Sequence, residues 1–177
     1  METDKIKWGI VGAGKIAAKF AEDLNQTPSA SLYAVASRDK TKAAKFAETH
    51  SIEKSFDDYT NLFLDEAVDI VYIATPHSNH ASLGIEAMNH GKHILCEKPI
   101  AVNSKELQKM IEASERNDVF MMEALWSRFN PSICQINEIL QTNIIGELRM
   151  LDLNFCFNSG ADVACRVFNP DLAGGAL

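Results

Sequence analysis

The sequence has no long apolar run, no surplus of positive charge and no closely paired cysteines, and each lack removes a class of function. No stretch approaches the ~20 consecutive apolar residues that span a bilayer, so no membrane segment is expected. Lys and Arg number 17 against 24 Asp and Glu, a net charge of −7. A nucleic-acid partner is therefore not expected, because phosphate backbones are held by basic surfaces. Cys96, Cys134, Cys156 and Cys165 form no C-x-x-C pair. In apolar surroundings they read as reduced and mostly buried, as in a cytoplasmic protein. The polar start Met1-Glu2-Thr3-Asp4-Lys5 leads into only a six-residue apolar stretch and supplies no secretory h-region. Neither an internal repeat nor a low-complexity segment is found. What remains is an ordinary globular composition, 46% hydrophobic over 177 residues, enough for one domain and part of another.

What is present begins with Trp8-Gly9-Ile10-Val11-Gly12-Ala13-Gly14-Lys15-Ile16-Ala17. Residues 6–11 read as a strand, and Ile16, Phe20 and Leu24 recur at helical spacing after it. Between them, Gly12-x-Gly14-x-x-Ala17 fits the G-x-G-x-x-[G/A] dinucleotide fingerprint. Gly12 permits the tight turn, Gly14 lets a pyrophosphate approach the backbone, and Ala17 lets the helix lie against the sheet. The helix N-terminus offers N–H donors and a positive dipole end to the phosphates. Small residues also occur in ordinary strand–helix turns, so the motif alone is weak. A second strand, residues 31–36, ends at Ser37-Arg38-Asp39, where NAD-preferring sites place an acid against the ribose 2′-OH. A hydroxyl and a guanidinium suit a 2′-phosphate instead, so NADP is the expected cofactor and NAD the alternative. The plainer reading makes Arg38 a solvated loop residue and Asp39 a helix cap.

Further strands are expected within residues 51–56, 69–74, 92–96 and 118–122, with Asp57 and Asn103 as helix caps, Glu106 reaching back in a capping box, and Gly91 closing a helix. Six strands separated by helices imply an α/β fold, a doubly wound parallel sheet. Residues 69–74 are a continuous apolar run suited to a buried parallel strand, and they end at Thr75-Pro76-His77-Ser78-Asn79-His80, where α/β sheets place ligands. His77 and His80 are three apart, but no carboxylate or cysteine joins them at ligand spacing, so no metal is expected. Surface or helix-start roles suit them better. A further apolar strand runs into Glu97-Lys98-Pro99. A partly buried lysine there, its pKa lowered towards neutrality, could act as general acid/base, with Glu97 orienting it or binding a substrate hydroxyl. Pro99 fixes the following backbone, a cis bond being one way of doing so. Most such triplets are solvated turns.

After Glu123 the pattern changes. Residues 124–131 are aromatic and lack a clear period, Pro131 starts a helix, and residues 147–157 alternate as a one-sided strand. The expected division is therefore 1–123, a dinucleotide-binding domain, and 124–177, the start of an incomplete second domain.

Gly12-Ala13-Gly14-Lys15-Ile16-Ala17, Ala74-Thr75-Pro76-His77 and Cys96-Glu97-Lys98-Pro99 together resemble the glucose-fructose oxidoreductase / inositol dehydrogenase / MocA family. Residues 125–131 and Arg166-Val167-Phe168-Asn169-Pro170 are similar, more narrowly, to its dihydrodiol dehydrogenase branch. The resemblance implies a Rossmann domain followed by an α/β domain with an open, mainly antiparallel sheet. It implies NAD(P)-dependent oxidation or reduction of a sugar, cyclic polyol or dihydrodiol, by a homo-oligomer in the full-length protein. By position it makes Lys98 the acid/base and Glu97 its active-site neighbour, lines the nicotinamide side with Thr75, Pro76 and His77, and sets His80 close by. Arg128 falls near cofactor and substrate, and Trp126 and Phe129 become pocket walls or interdomain core. Members run to roughly twice this length. The closing Gly174-Gly175-Ala176-Leu177 is similar to the start of a motif that continues with further catalytic residues, so a C-terminally truncated chain is expected. Because the family also holds a regulator of transcription, a non-catalytic dinucleotide-binding or regulatory module is the alternative.

Overall fold

A computed structural model of the chain describes residues 5–154 and 156. Six strands, β1 (Ile6–Val11), β2 (Ala30–Ala36), β3 (Lys54–Phe56), β4 (Ile70–Ile73), β5 (His93–Glu97) and β6 (Met121–Ala124), form one sheet in the order β3-β2-β1-β4-β5-β6. Every neighbouring pair is parallel. Strand order reverses direction at β1, so a crevice opens beyond the carboxyl ends of β1 and β4. The expected doubly wound fold is what forms.

Side chains of successive strand residues leave opposite faces of the sheet. Ile10 and Tyr72 join a core beneath α1 (Lys15–Leu24) and α2 (Lys40–His50), with Ala17, Ala21 and Phe46. Val11, Val71 and Ile73 join the opposite core, beneath α3 (Tyr59–Phe63), α4 (His80–Asn89) and α5 (Ser104–Asn117). Gly84 lets α4 lie close, since a Cβ there would meet Met110 Cε at 2.8 Å. A final helix, α6 (Pro131–Gln141), starts at Pro131 as expected and is capped by Asn130. None of its residues is buried.

Several boundaries depart from expectation for local reasons. Asp58, not Asp57, caps α3, accepting from the Thr60 and Asn61 amides. Ser51 closes α2 at φ +56, which confines β3 to three residues. Lys92 does not start β5; it is buried, and its Nζ donates to the carbonyls of Asp65 and Val68, each at 2.8 Å. Asp118 closes α5 at φ +52, so β6 begins three residues later than the apolar pattern suggests. Asn103 caps α5 through the Glu106 amide, but the Glu106 carboxylate faces Asn103 Nδ2 at 3.4 Å rather than the backbone. The one-sided strand expected over 147–157 is absent from residues 147–154, which are exposed and pair with no strand among the described residues. Phe155 and Phe157 lie outside the described residues. Cys96 is buried as expected, whereas Cys134 and Cys156 are exposed; Cys165 lies outside the described residues.

One ion pair sets an acid-range dependence of stability. Burial raises the Asp65 pKa, but the Lys54 ammonium at 2.7 Å and the Ala67 amide outweigh it and hold the carboxyl below its ordinary 3.8. Stability from this group is present above that value and is lost as pH falls through the lower folded pKa. Asp65→Asn should therefore flatten the acid limb of the stability curve, read as urea midpoint against pH between 2 and 5.

Candidate functional site

The turn after β1 is built by two glycines with different tasks. Gly12 sits at φ +101, and a Cβ there would lie 2.7 Å from the Ala74 carbonyl oxygen, so only glycine lets the turn pass the end of β4. Gly14 is the N-cap of α1 and supplies no side-chain bond to it. A Cβ on Gly14 would meet nothing within 4 Å. The space beside Gly14 is thus open; α1, like α4, has no side-chain cap, whereas α2, α3, α5 and α6 are capped by Asp39, Asp58, Asn103 and Asn130. Ala17, on the buried face of α1, is fully buried, while Lys15 and Ile16 are exposed beside the turn.

At the end of β2, Ser37 is buried, and its hydroxyl oxygen accepts from the Asp39 amide at 3.3 Å. Asp39 spends its carboxylate on the Thr41 and Lys42 amides, as a helix cap. Arg38 is exposed between them.

Beyond β4 and β5 the backbone is tied together from several sides. His80 is fully buried rather than on the surface, with Nε2 2.9 Å from the Thr75 carbonyl and Nδ1 2.8 Å from the Pro99 carbonyl. A neutral imidazole donates to one of these only; the doubly protonated ring donates to both. The ring of His77 meets that of His80 edge-on at 5.5 Å. The Lys98–Pro99 peptide is cis. The Ile100 amide donates to Glu123 Oε1 at 2.9 Å. Glu97 Oε2 accepts from the Lys98 amide at 3.3 Å, and Glu97 Oε1 accepts from the Tyr72 hydroxyl at 2.6 Å. Burial, and then the Glu97 charge, push the Tyr72 phenol well above its ordinary range. Burial likewise pushes the Cys96 thiol up, which keeps it protonated and inert.

A cavity of about 720 Å³ opens at this rim. It brings together Ile16, Thr75, His77, Glu97, Lys98, Trp126 and Phe129. Gly12, Gly14, Lys15, Ala17, Ser37, Arg38, Pro76, His80 and Arg128 lie outside its lining, the first four around the glycine turn. Thr75 is 8% exposed and its Oγ1 has no partner among the described residues, a costly state for a buried hydroxyl unless a ligand completes it. Lys98 is exposed, so the partial burial expected of it is not supplied by the described residues. Its Nζ makes no hydrogen bond among them. Trp126 is 73% exposed. Among the described residues no group of three or more His, Cys, Asp or Glu could hold a metal, and no helix is long and apolar enough to cross a membrane.

Sequence reasoning passed over Tyr72, Phe20 and Glu123. The available signal was the single hydroxyl in the aliphatic run 70–73, which needs a partner wherever it is buried.

Residues 6–125 match the model of the Gfo/Idh/MocA family, described as an oxidoreductase family with an NAD-binding Rossmann fold. A trans-1,2-dihydrobenzene-1,2-diol dehydrogenase of Danio rerio is 40% identical over 176 residues, 97% of this chain and 52% of the relative. The chain thus spans about half the length of the curated relatives it matches. A solved NAD-binding oxidoreductase from Klebsiella pneumoniae superposes with a TM-score of 0.75 at 30% identity, over 81% of this chain and 40% of that one. The 3-ketoreductase KijD10 of Actinomadura kijaniata, solved with NADP and TDP-benzene, gives 0.76 at 28% identity, over 81% and 44%.

Proposed function

The chain belongs to the Gfo/Idh/MocA oxidoreductase family, and from that premise we propose that it binds NADP across the Gly12–Gly14 turn and serves hydride transfer to or from a sugar, cyclic polyol or trans-dihydrodiol. The observation that carries the reading is the placing of Glu97, Lys98 and the unpartnered Thr75 hydroxyl around one cavity, at the rim where the glycine turn lies. The residues fit a dinucleotide. Open space in front of Gly14 and the uncapped amides of α1 suit a pyrophosphate, and the buried Thr75 hydroxyl offers a hydrogen bond on the nicotinamide side. Pro76, His77 and His80 shape that side, with Ile16 below. Ser37 and Arg38 take the 2′-phosphate, and Lys15 adds charge at the turn.

When bound, the nicotinamide supplies the hydride chemistry. Lys98 Nζ gives a proton to a carbonyl oxygen, or takes one from a hydroxyl, at the mouth of the cavity. Glu97 accepts a substrate hydroxyl, and Trp126, Phe129 and Arg128 bound the substrate side. Residues 1–123 act as the dinucleotide domain and residues 124–177 begin a substrate domain that makes a homo-oligomer in the full-length protein. Reduced cysteines suit a cytoplasmic enzyme. A binding-only module is the second reading, favoured by the exposure of Lys98.

Titration of the chain with NADPH and NADH, followed by oxidation assays on trans-dihydrobenzenediol and sugars, tests both readings. Tight NADPH binding with turnover supports the enzyme, binding alone supports the module, and no binding overturns both. Arg38→Asp should lower the NADPH/NADH affinity ratio by about 10–100-fold, the value of a lost charge-assisted bond. An unchanged ratio would remove the case for NADP.

A further inference from the structure

We propose that Tyr72 is a positioning residue for Glu97: its buried hydroxyl fixes the carboxylate in the cavity so that the carboxylate meets substrate in a single orientation. The proposal rests on the reading of Glu97 as a substrate-binding group.

Tyr72 pairs with Leu95 across the β4–β5 ladder, and Glu97 lies two residues further along β5 on the same face. That diagonal is within reach of a tyrosine ring, and the hydroxyl arrives at Glu97 Oε1 at 2.6 Å. The length is that of a charge-assisted O–H···O⁻ bond. The tyrosine itself cannot drift. It is 1% exposed, and its ring stacks on Phe20 with centroids 3.9 Å apart and planes 22° apart. Phe20 is backed by Trp8 at 5.4 Å. A rigid aromatic column therefore ends in a hydroxyl aimed at a carboxylate on the cavity wall.

The arrangement serves both partners. Buried without an acceptor, the phenol would carry a desolvation penalty. Without the phenol, a glutamate at a strand end would sample several rotamers. The Lys98 amide at 3.3 Å holds the second oxygen, Oε2. Each carboxylate oxygen accepts two hydrogen bonds, so one site on each stays available to a substrate hydroxyl while the orientation is kept. Tyr72 touches neither hydride nor proton; it acts through Glu97.

The test uses Tyr72→Phe, which keeps the ring stack, together with Glu97→Gln and the double variant. The Glu97 carboxylate stretch, assigned in the infrared by its loss in Glu97→Gln, is expected to shift in Tyr72→Phe, a change that a purely structural tyrosine would not produce. With NADP and trans-dihydrobenzenediol as probes, Tyr72→Phe should lower kcat/KM about 10-fold, mainly through KM, and should have no further effect in the Glu97→Gln background. NADPH affinity should be unchanged. An unmoved stretch, or equal losses in both backgrounds, overturns the role of Tyr72. A shifted stretch with kcat/KM untouched by Glu97→Gln instead upholds the bond and overturns the assignment of Glu97 to substrate.

Discussion

On the proposed reading, Lys98→Met in the full-length protein should lower hydride transfer by about 10²–10⁴-fold, the usual weight of a positioned acid/base, and leave NADPH affinity nearly unchanged. The expectation follows from how the residue is held. The backbone around Lys98 is fixed by the bond from its amide to Glu97, by His80 on the Pro99 carbonyl and by Glu123 on the Ile100 amide. Its Nζ, in contrast, makes no hydrogen bond among the described residues. Removing the ammonium therefore breaks nothing that supports the loop, and methionine keeps the length of the stem. In the binding mode proposed above, phosphate and ribose would be held elsewhere, at the glycine turn and beyond β2. Fluorescence titration with NADPH and pre-steady-state absorbance at the nicotinamide band separate the two quantities. Equal losses in both would reject proton transfer by Lys98 and favour a role in holding the cofactor.

Gly12→Val has the largest expected effect on the fold. The new Cβ would lie 2.7 Å from the Ala74 oxygen and 3.0 Å from its carbonyl carbon, both backbone atoms of the strand end that must stay in register. Strain at φ +101 adds to the clash. Together these should cost about 2–5 kcal/mol, and NADPH binding should be lost with the turn. Gly14→Ala is the informative companion, because its methyl would meet no protein atom within 4 Å. Stability should barely change, while NADPH affinity falls at least ~10-fold, about 1.4 kcal/mol, as the methyl enters the space of the pyrophosphate. Urea unfolding and NADPH titration of both variants make the check. Equal NADPH affinity for Gly14→Ala and wild type would show that no phosphate approaches this turn.

What could be read in advance was what local chemistry decides. The glycine spacing, the apolar run at 69–74 and the helix start at Pro131 each carry their own instruction. Features that depend on distant partners could not be read. Asp118 looks like the start of a strand, yet it closes α5 because the chain must turn there to reach β6. Residues 147–154 alternate correctly, yet among the described residues no strand lies beside them, and alternation alone makes no ladder. At the candidate site the glycine turn and Glu97-Lys98-Pro99 stood out as motifs. The bond from Tyr72 to Glu97, the burial of His80 between two carbonyls and the unpartnered Thr75 hydroxyl all arise from side-by-side strands, which no linear spacing encodes.

The order of strands also shapes how this protein emerges from a ribosome. β1 is made first but lies between β2 and β4, so after β2 docks its other side waits until Ile70 appears. The 33 residues between Ala36 and Ile70 take roughly 2–7 s to synthesise at ~5–20 residues per second. Throughout that interval the nascent chain offers unsatisfied backbone groups at Lys7, Gly9 and Val11, the alternate residues of β1 that face β4. A chaperone that shields extended apolar segments has its window of action there, and translation slowed between codons 37 and 69 lengthens it.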